Sequence, residues 1–230
     1  MIFEILYQDE QLIAINKPCG FFVHRTKLDN QASTLVLPNL RDQIGQRVYP
    51  VHRLDRKTSG VLLFALDQIT QSQMNKKFAE NEVSKTYQAI VRGHTAPDFE
   101  IDYAIINDKN KLQEALTYGK TMAHAEIPYC SWKHPSSRYS LVELYPQTGR
   151  QHQLRKHLSH IFHPIIGDRP HGCNKQNKFF LETFELNEMM LHATKLQFIH
   201  PNTTTEIIIN APALGEFSRI ADILGFQVNN

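Results

Sequence analysis

With 230 residues and 41% hydrophobic content, the chain can bury a substantial core in one large domain or two small ones. A net charge of +2 favours no partner class, and no apolar run reaches the roughly eighteen residues of a membrane span. The acidic start MIFEILYQDE lacks the basic-then-apolar order of a signal peptide, so a cytoplasmic protein that does not act at a membrane is expected. Cys19, Cys130 and Cys173 lie far apart with no CxxC pair, which argues for reduced thiols and against a disulfide framework or thiolate zinc site.

FEILYQD and LIAINKP are short β-type runs separated by Glu10 and Gln11, and they predict a hairpin closed by Pro18 and Gly20. The stretch from His24 to Tyr49 is polar and shows no clear period. HRLDRKTSG follows at residues 52–60, then the buried-strand run VLLFAL. Asp67 is a natural N-cap for a helix through DQITQSQMNKKFAENE that would bury Ile69, Met74 and Phe78.

KTYQAIVRG alternates, placing Tyr87, Ala89 and Val91 on one strand face with Gly93 as the stop. From Thr95 to His134 the polarity is mixed, and weak strands and loops are expected rather than a linker. YSLVELYP reads as a strand. Beyond it, Thr148 and Gln151 have the capping-box spacing, and Leu154, Leu158 and Ile161 form an apolar helix stripe. That rotation leaves His152, Arg155 and Lys156 on flanking or exposed faces. MMLHATKLQFIH and TTEIIINAP predict a hairpin turning at PNT, and LGEFSRIADILGF predicts a closing helix. Strands and helices without a regular βαβ repeat give an α+β fold with a large mixed or mainly antiparallel sheet.

Asp55 stands alone among Arg53, Arg56 and Lys57, in a loop that feeds the VLLFAL strand. It is either a local charge neutraliser in a turn or a carboxylate held ionised for work as nucleophile or base. Between Arg150 and Lys178 six Lys/Arg face a single acid, Asp168, alongside five of the twelve histidines. Such a surface suits a polyanion such as RNA, and equally a solvated helix face. His157, His160 and His163 are spaced three apart, with His152 earlier, but no carboxylate or cysteine falls at ligand spacing, so no metal site is expected. No GxSxG turn is present for a serine hydrolase.

HRLDRKTSG with VLLFAL, KTYQAIVRG, TGRQHQLRKHLSHIFHPIIGD and MMLHATKLQF, in that order, resemble the RluA family of pseudouridine synthases over nearly the whole chain. Within the family, EILYQDEQLIAINKPCGFFVHR, RDQIGQ, SSRYSLVELYPQTGRQHQLRKHLSHIFHPIIGD and PHGCNKQN resemble the branch that modifies uridine 65 of tRNA. The resemblance implies a single catalytic domain over residues 1–230 with no separate N-terminal RNA-binding module. It further implies the family's bent sheet flanked by helices, tRNA as partner, no obligate protein partner and no cofactor.

The family's catalytic aspartate matches Asp55, and the basic residue that pairs with it matches Arg155. Tyr87 matches the tyrosine that stacks on the target base and assists proton transfer. Arg53 matches an arginine that enters the space left by the extruded base or reorganises the RNA around it, and Leu191 resembles the apolar pocket residue. Arg150, Lys156, Arg169 and Lys175 are phosphate-contact candidates by charge and position. The same chemistry on ribosomal RNA is the alternative substrate reading, and an RNA-binding or tRNA-folding role without catalysis is the alternative of another class.

Overall fold

A computed structural model describes residues 2–23, 35–129 and 135–228. In chain order the first elements are β1 (Glu4–Gln8), β2 (Leu12–Lys17), α1 (Val36–Ile44), β3 (Tyr49–Pro50), β4 (Ser59–Ala65) and α2 (Gln68–Ala79). They are followed by β5 (Ser84–Arg92), β6 (Asp98–Asp102), β7 (Ile105–Ile106), β8 (Leu112–Gln113), β9 (Leu116–Ile127) and β10 (Ser137–Pro146). The last are α3 (Gln153–His160), α4 (Asn174–Phe184), β11 (Leu191–Ile199), β12 (Glu206–Asn210) and α5 (Glu216–Ile223). The fold is α+β. The chain forms two compact units, Met1–Lys85 with Ala193–Pro212, and Thr86–His192 with Ala213–Asn230.

In the first unit the strands run β1-β2-β4-β11, with β3 on β4 and β12 on β11. The predicted β1–β2 hairpin is antiparallel, and Asp9 closes it by accepting the N–H groups of Gln11 and Leu12, both at 2.7 Å. β2 and β4 pair from Leu12↔Ala65 to Lys17↔Gly60, and β4 is buried along nearly its whole length, as its unbroken apolar run requires. Their inward side chains, including Leu12, Val61 and Leu63, pack with Met74 of α2 and with Leu196, Phe198 and Ile209 of the β11–β12 hairpin.

Asp67 caps α2 as expected, accepting the Thr70 N–H at 2.8 Å. Ile69 does not join the core: it is 74% exposed, because the buried stripe runs through Thr70 and Met74, one residue further on. α1 falls in the stretch that carries no readable period, of which 24–34 lie outside the described residues.

In the second unit the order is β5-β10-β9-β6, all antiparallel. The Thr95–His134 stretch forms β6 to β9, with residues 130–134 outside the described residues. Its main element is the twelve-residue β9, and the alternation there is inverted. Small or polar Thr117, Gly119 and Ala123 face inward, while Tyr118 and Met122 are exposed. Gly119 leaves room for its neighbour, since the Phe99 ring lies 2.2 Å from where a Cβ would stand and would have to move for any larger residue.

α3 starts later than the Thr148/Gln151 spacing predicts. Its N-cap, His152, makes no side-chain capping bond. The Gln153 side chain instead ties the approach to the helix onto β9: its Oε1 accepts the Arg150 N–H at 3.0 Å and the Thr148 hydroxyl at 2.7 Å, while its Nε2 donates to Leu116 O and Thr117 Oγ1. Leu154 and Leu158 are buried as predicted. α4 is not signalled by a hydrophobic period, because its inward positions are Gln176, Phe179 and Phe180, and Gln176 bonds the Tyr139 hydroxyl. α5 buries Phe217, Ile220 and Ala221 against the same core. Among the described residues no helix is long and apolar enough to cross a membrane.

Candidate active site

Asp55 lies half-buried in the loop between β3 and β4, and the loop is fixed from several directions. Val51 and Leu54 anchor it in the apolar interior, at 5% exposure each. Thr58 N donates to Asp55 O at 3.1 Å, closing a turn around the carboxylate. The Arg56 carbonyl accepts both Gly20 N, at 2.9 Å, and Lys17 Nζ, at 3.1 Å, while Arg56 Nε returns a bond to Gly20 O at 3.0 Å. Cys19 Sγ donates to Lys57 O at 3.2 Å.

Lys17 is fully buried, and its ammonium also donates to Pro18 O at 2.9 Å and Phe21 O at 3.1 Å. The KPCGF turn after β2 thus grips the backbone immediately following Asp55. An ammonium has three donors and no acceptor, which suits a knot of converging carbonyls.

His52 fixes the other side of the loop. Its Nε2 accepts the Leu63 N–H at 2.9 Å, and its ring stacks on Phe78 at 4.8 Å. Burial, helped by the Lys85 charge, pushes its pKa from 6.5 down to about 3, so the ring is neutral with its proton on Nδ1. At the end of the loop Gly60 has φ +108°, and a Cβ there would lie 2.2 Å from the Ala193 carbonyl oxygen. Only glycine permits that approach.

Arg53, exposed, shares the loop with Asp55; the other sequence-assigned residues belong to the second unit. Tyr87 is a half-buried β5 residue in register with Leu144 and packed against the second core, which includes Leu191 at 3% exposure. Arg150 is exposed with Nε bonded to Glu114 O at 3.0 Å, and Lys156 Nζ donates to Ile106 O at 2.9 Å. Arg169 is exposed in the loop before α4, and Lys175 is exposed in the first turn of α4.

Arg155 is not on an exposed face. It is 7% exposed, and its Nε and Nη2 donate to Asp168 Oδ2 and Oδ1, each at 2.8 Å. Asp168, the lone acid of the basic window, is thus the buried partner of Arg155, and motif spacing does not reveal it. Nor does it reveal Lys17 or His52.

The histidines in and around α3 meet separate partners. His157 is fully buried between Thr117 Oγ1, 3.0 Å from Nδ1, and Tyr103 O, 2.9 Å from Nε2; burial lowers its pKa. His160 stacks on Tyr103 at 3.6 Å, and His163 Nδ1 lies 2.8 Å from Arg92 O. His152 Nδ1 meets His171 Nε2 at 3.1 Å. Among the described residues no group of three or more metal-type side chains is placed to hold an ion.

The family model for RNA pseudouridylate synthase matches residues 11–160. A protein of Vibrio vulnificus (strain CMCP6) named tRNA pseudouridine synthase C is 49% identical over 219 residues, covering 90% of this chain and 89% of its own. A protein of the same name from Pasteurella multocida (strain Pm70) is 44% identical over 241 residues, covering 100% and 99%. Among solved structures, human RNA pseudouridylate synthase domain containing 4 superposes with a TM-score of 0.75 at 25% identity, covering 99% of this chain and 95% of its own. The chain belongs to the RluA-type family of RNA pseudouridine synthases, isomerases that convert uridine to pseudouridine.

Proposed function

We propose that the protein isomerises uridine to pseudouridine in tRNA, at uridine 65, with Asp55 as the reacting carboxylate. The observation that carries the tRNA reading is the 44–49% identity to relatives named tRNA pseudouridine synthase C over most of both chains. The Asp55 assignment is supported by its family motif and by a loop held on both sides by Lys17 and His52, which is how a reacting group is kept in a productive geometry.

The reaction breaks the bond between N1 of uracil and C1′ of the ribose, rotates the base, and joins C5 to C1′. The C5 proton is then released, and no electrons enter or leave. Asp55 serves either as a nucleophile at C1′ or as the base that gives a glycal; both routes use an ionised carboxylate. Tyr87 stacks on the target base, and Leu191 forms the apolar side of its pocket. Arg53 occupies the space the base leaves. Extruding a base from a stem costs a few kcal/mol, which a stacking ring and an inserted cation offset. Arg155 supplies a fixed positive charge, and Arg150, Lys156, Arg169 and Lys175 contact phosphates.

Incubating unmodified tRNA with the protein and mapping pseudouridine by carbodiimide-dependent primer extension tests the substrate and the position. A stop one nucleotide 3′ of uridine 65, which reports pseudouridine at 65, is the expected result. Modification of ribosomal RNA alone would replace tRNA as the substrate. Binding of tRNA with no stop in either RNA would favour a binding role instead.

A further inference from the structure

We infer that Asp168 is a positioning residue for the reaction, holding the Arg155 guanidinium in one plane and one orientation. The inference rests on the assignment of Arg155 to the reacting site.

The side chains of Arg155 and Asp168 are 8% and 1% exposed, and the carboxylate takes the whole Nε–Nη2 edge in two parallel bonds of 2.8 Å. A bidentate contact of this kind fixes both the tilt and the rotation of the planar group, which a lysine ammonium could not reproduce. Whatever else Arg155 bonds, it does so from a guanidinium whose plane is already set.

The carboxylate is itself held. Asp168 Oδ1 accepts His171 N at 3.3 Å. The Asp168 carbonyl accepts Asn177 Nδ2 at 2.7 Å, and Asn177 Oδ1 accepts Gly167 N at 2.8 Å, so one amide side chain braces the backbone on both sides. Gly172 passes so close that a Cβ there would lie 1.8 Å from the Asp168 oxygen. Gly167, at φ +80°, likewise has the Glu188 oxygen 1.9 Å from where a Cβ would be. The His171 ring meets His152, the N-cap of the helix that carries Arg155. Leu154 and Leu158, buried on either side of Arg155 in sequence, fix the rotation of that helix.

A buried ion pair contributes little net stability compared with apolar residues of the same volume, so stability alone is a weak reason for this arrangement. Orientation is the stronger one. Two glycines without room for a side chain, an amide brace and a backbone donor all converge on one acid.

The test is tritium release from a tRNA transcript carrying 5-tritiated uridine, measured for the full chain, Asp168→Asn, Arg155→Lys and the double variant, with thermal unfolding of each. Asp168→Asn is expected to lower kcat by about thirtyfold or more while KM stays within about threefold, as a misaligned group does. In the Arg155→Lys background, which has no fork to hold, the same change is expected to lower kcat by less than about threefold. Equal losses in both backgrounds would overturn the inference. Should Asp168→Asn fail to fold, Asp168→Glu decides, since it keeps the charge but displaces it: lowered kcat at retained KM supports the inference and wild-type kcat overturns it. Active wild type with indifferent variants refutes the positioning role alone, whereas inactive wild type refutes the functional reading and the positioning role with it.

Discussion

His52 Nε2 accepts the backbone N–H of Leu63 at 2.9 Å, so a side chain three residues ahead of Asp55 satisfies a β4 donor just past the end of the β3 pairing. Replacing His52 by alanine leaves that donor without its acceptor in a buried strand, at a cost of about 1–3 kcal/mol. The thermal midpoint of His52→Ala is expected to fall accordingly by circular dichroism.

The same ring makes stability depend on pH. Its folded pKa, about 3, lies below the ordinary 6.5, so between these values the unfolded chain binds the extra proton. The contribution is fully present above 6.5 and declines as pH falls toward 3, with a limiting slope of about 1.4 kcal/mol per pH unit. His157 and His171, whose pKa values burial also lowers, add with the same sign. Urea midpoints measured from pH 7 to pH 4 are expected to fall less steeply for His52→Gln than for the wild type; equal slopes would contradict this account.

Lys17 donates to three carbonyls, one of them Arg56 O in the Asp55 loop. Lys17→Met keeps the shape and removes the donors, and bonds from charged groups contribute about 1.5–3 kcal/mol each. A lowered thermal midpoint is expected together with reduced kcat, because the grip on the loop is lost. A midpoint shift with wild-type kcat, measured well below the transition, would separate folding from loop placement and refute the second half of the claim.

Lys156 already donates to Ile106 O, so its charge sits at a defined place on α3 rather than sweeping the surface. If it contacts a phosphate, Lys156→Ala weakens tRNA binding and reduces the slope of log affinity against log salt by about 0.7–0.9. An unchanged slope in filter-binding titrations would remove Lys156 from the interface.

What the sequence discloses follows from where its pattern and its packing agree. The β1–β2 and β11–β12 hairpins, β4, β5, β10 and α5 are legible because each puts apolar residues where the core lies. β9 is not, because most of its inward residues are small or polar, Thr117, Gly119 and Ala123 among them, while Tyr118 and Met122 face out. α4 hides because a glutamine, Gln176, fills an inward position.

Asp55, the proposed reacting carboxylate, is legible through a short motif, whereas Lys17 and His52 act through the carbonyls and N–H they meet, which no spacing reveals. Arg155 shows the limit most plainly. Helical periodicity puts it off the apolar stripe, yet the partner that allows its burial, Asp168, lies thirteen residues away in another element's approach loop.

In the proposed reaction Asp55 carries the chemistry. Tritium release from tRNA labelled at uridine C5, compared between wild type and Asp55→Asn with tRNA binding measured alongside, tests it most directly. Release by the wild type, none above background by Asp55→Asn, and binding by the variant within about threefold of wild type are expected, since the substitution removes a reacting atom and not a phosphate contact. Substantial release by Asp55→Asn would contradict that role.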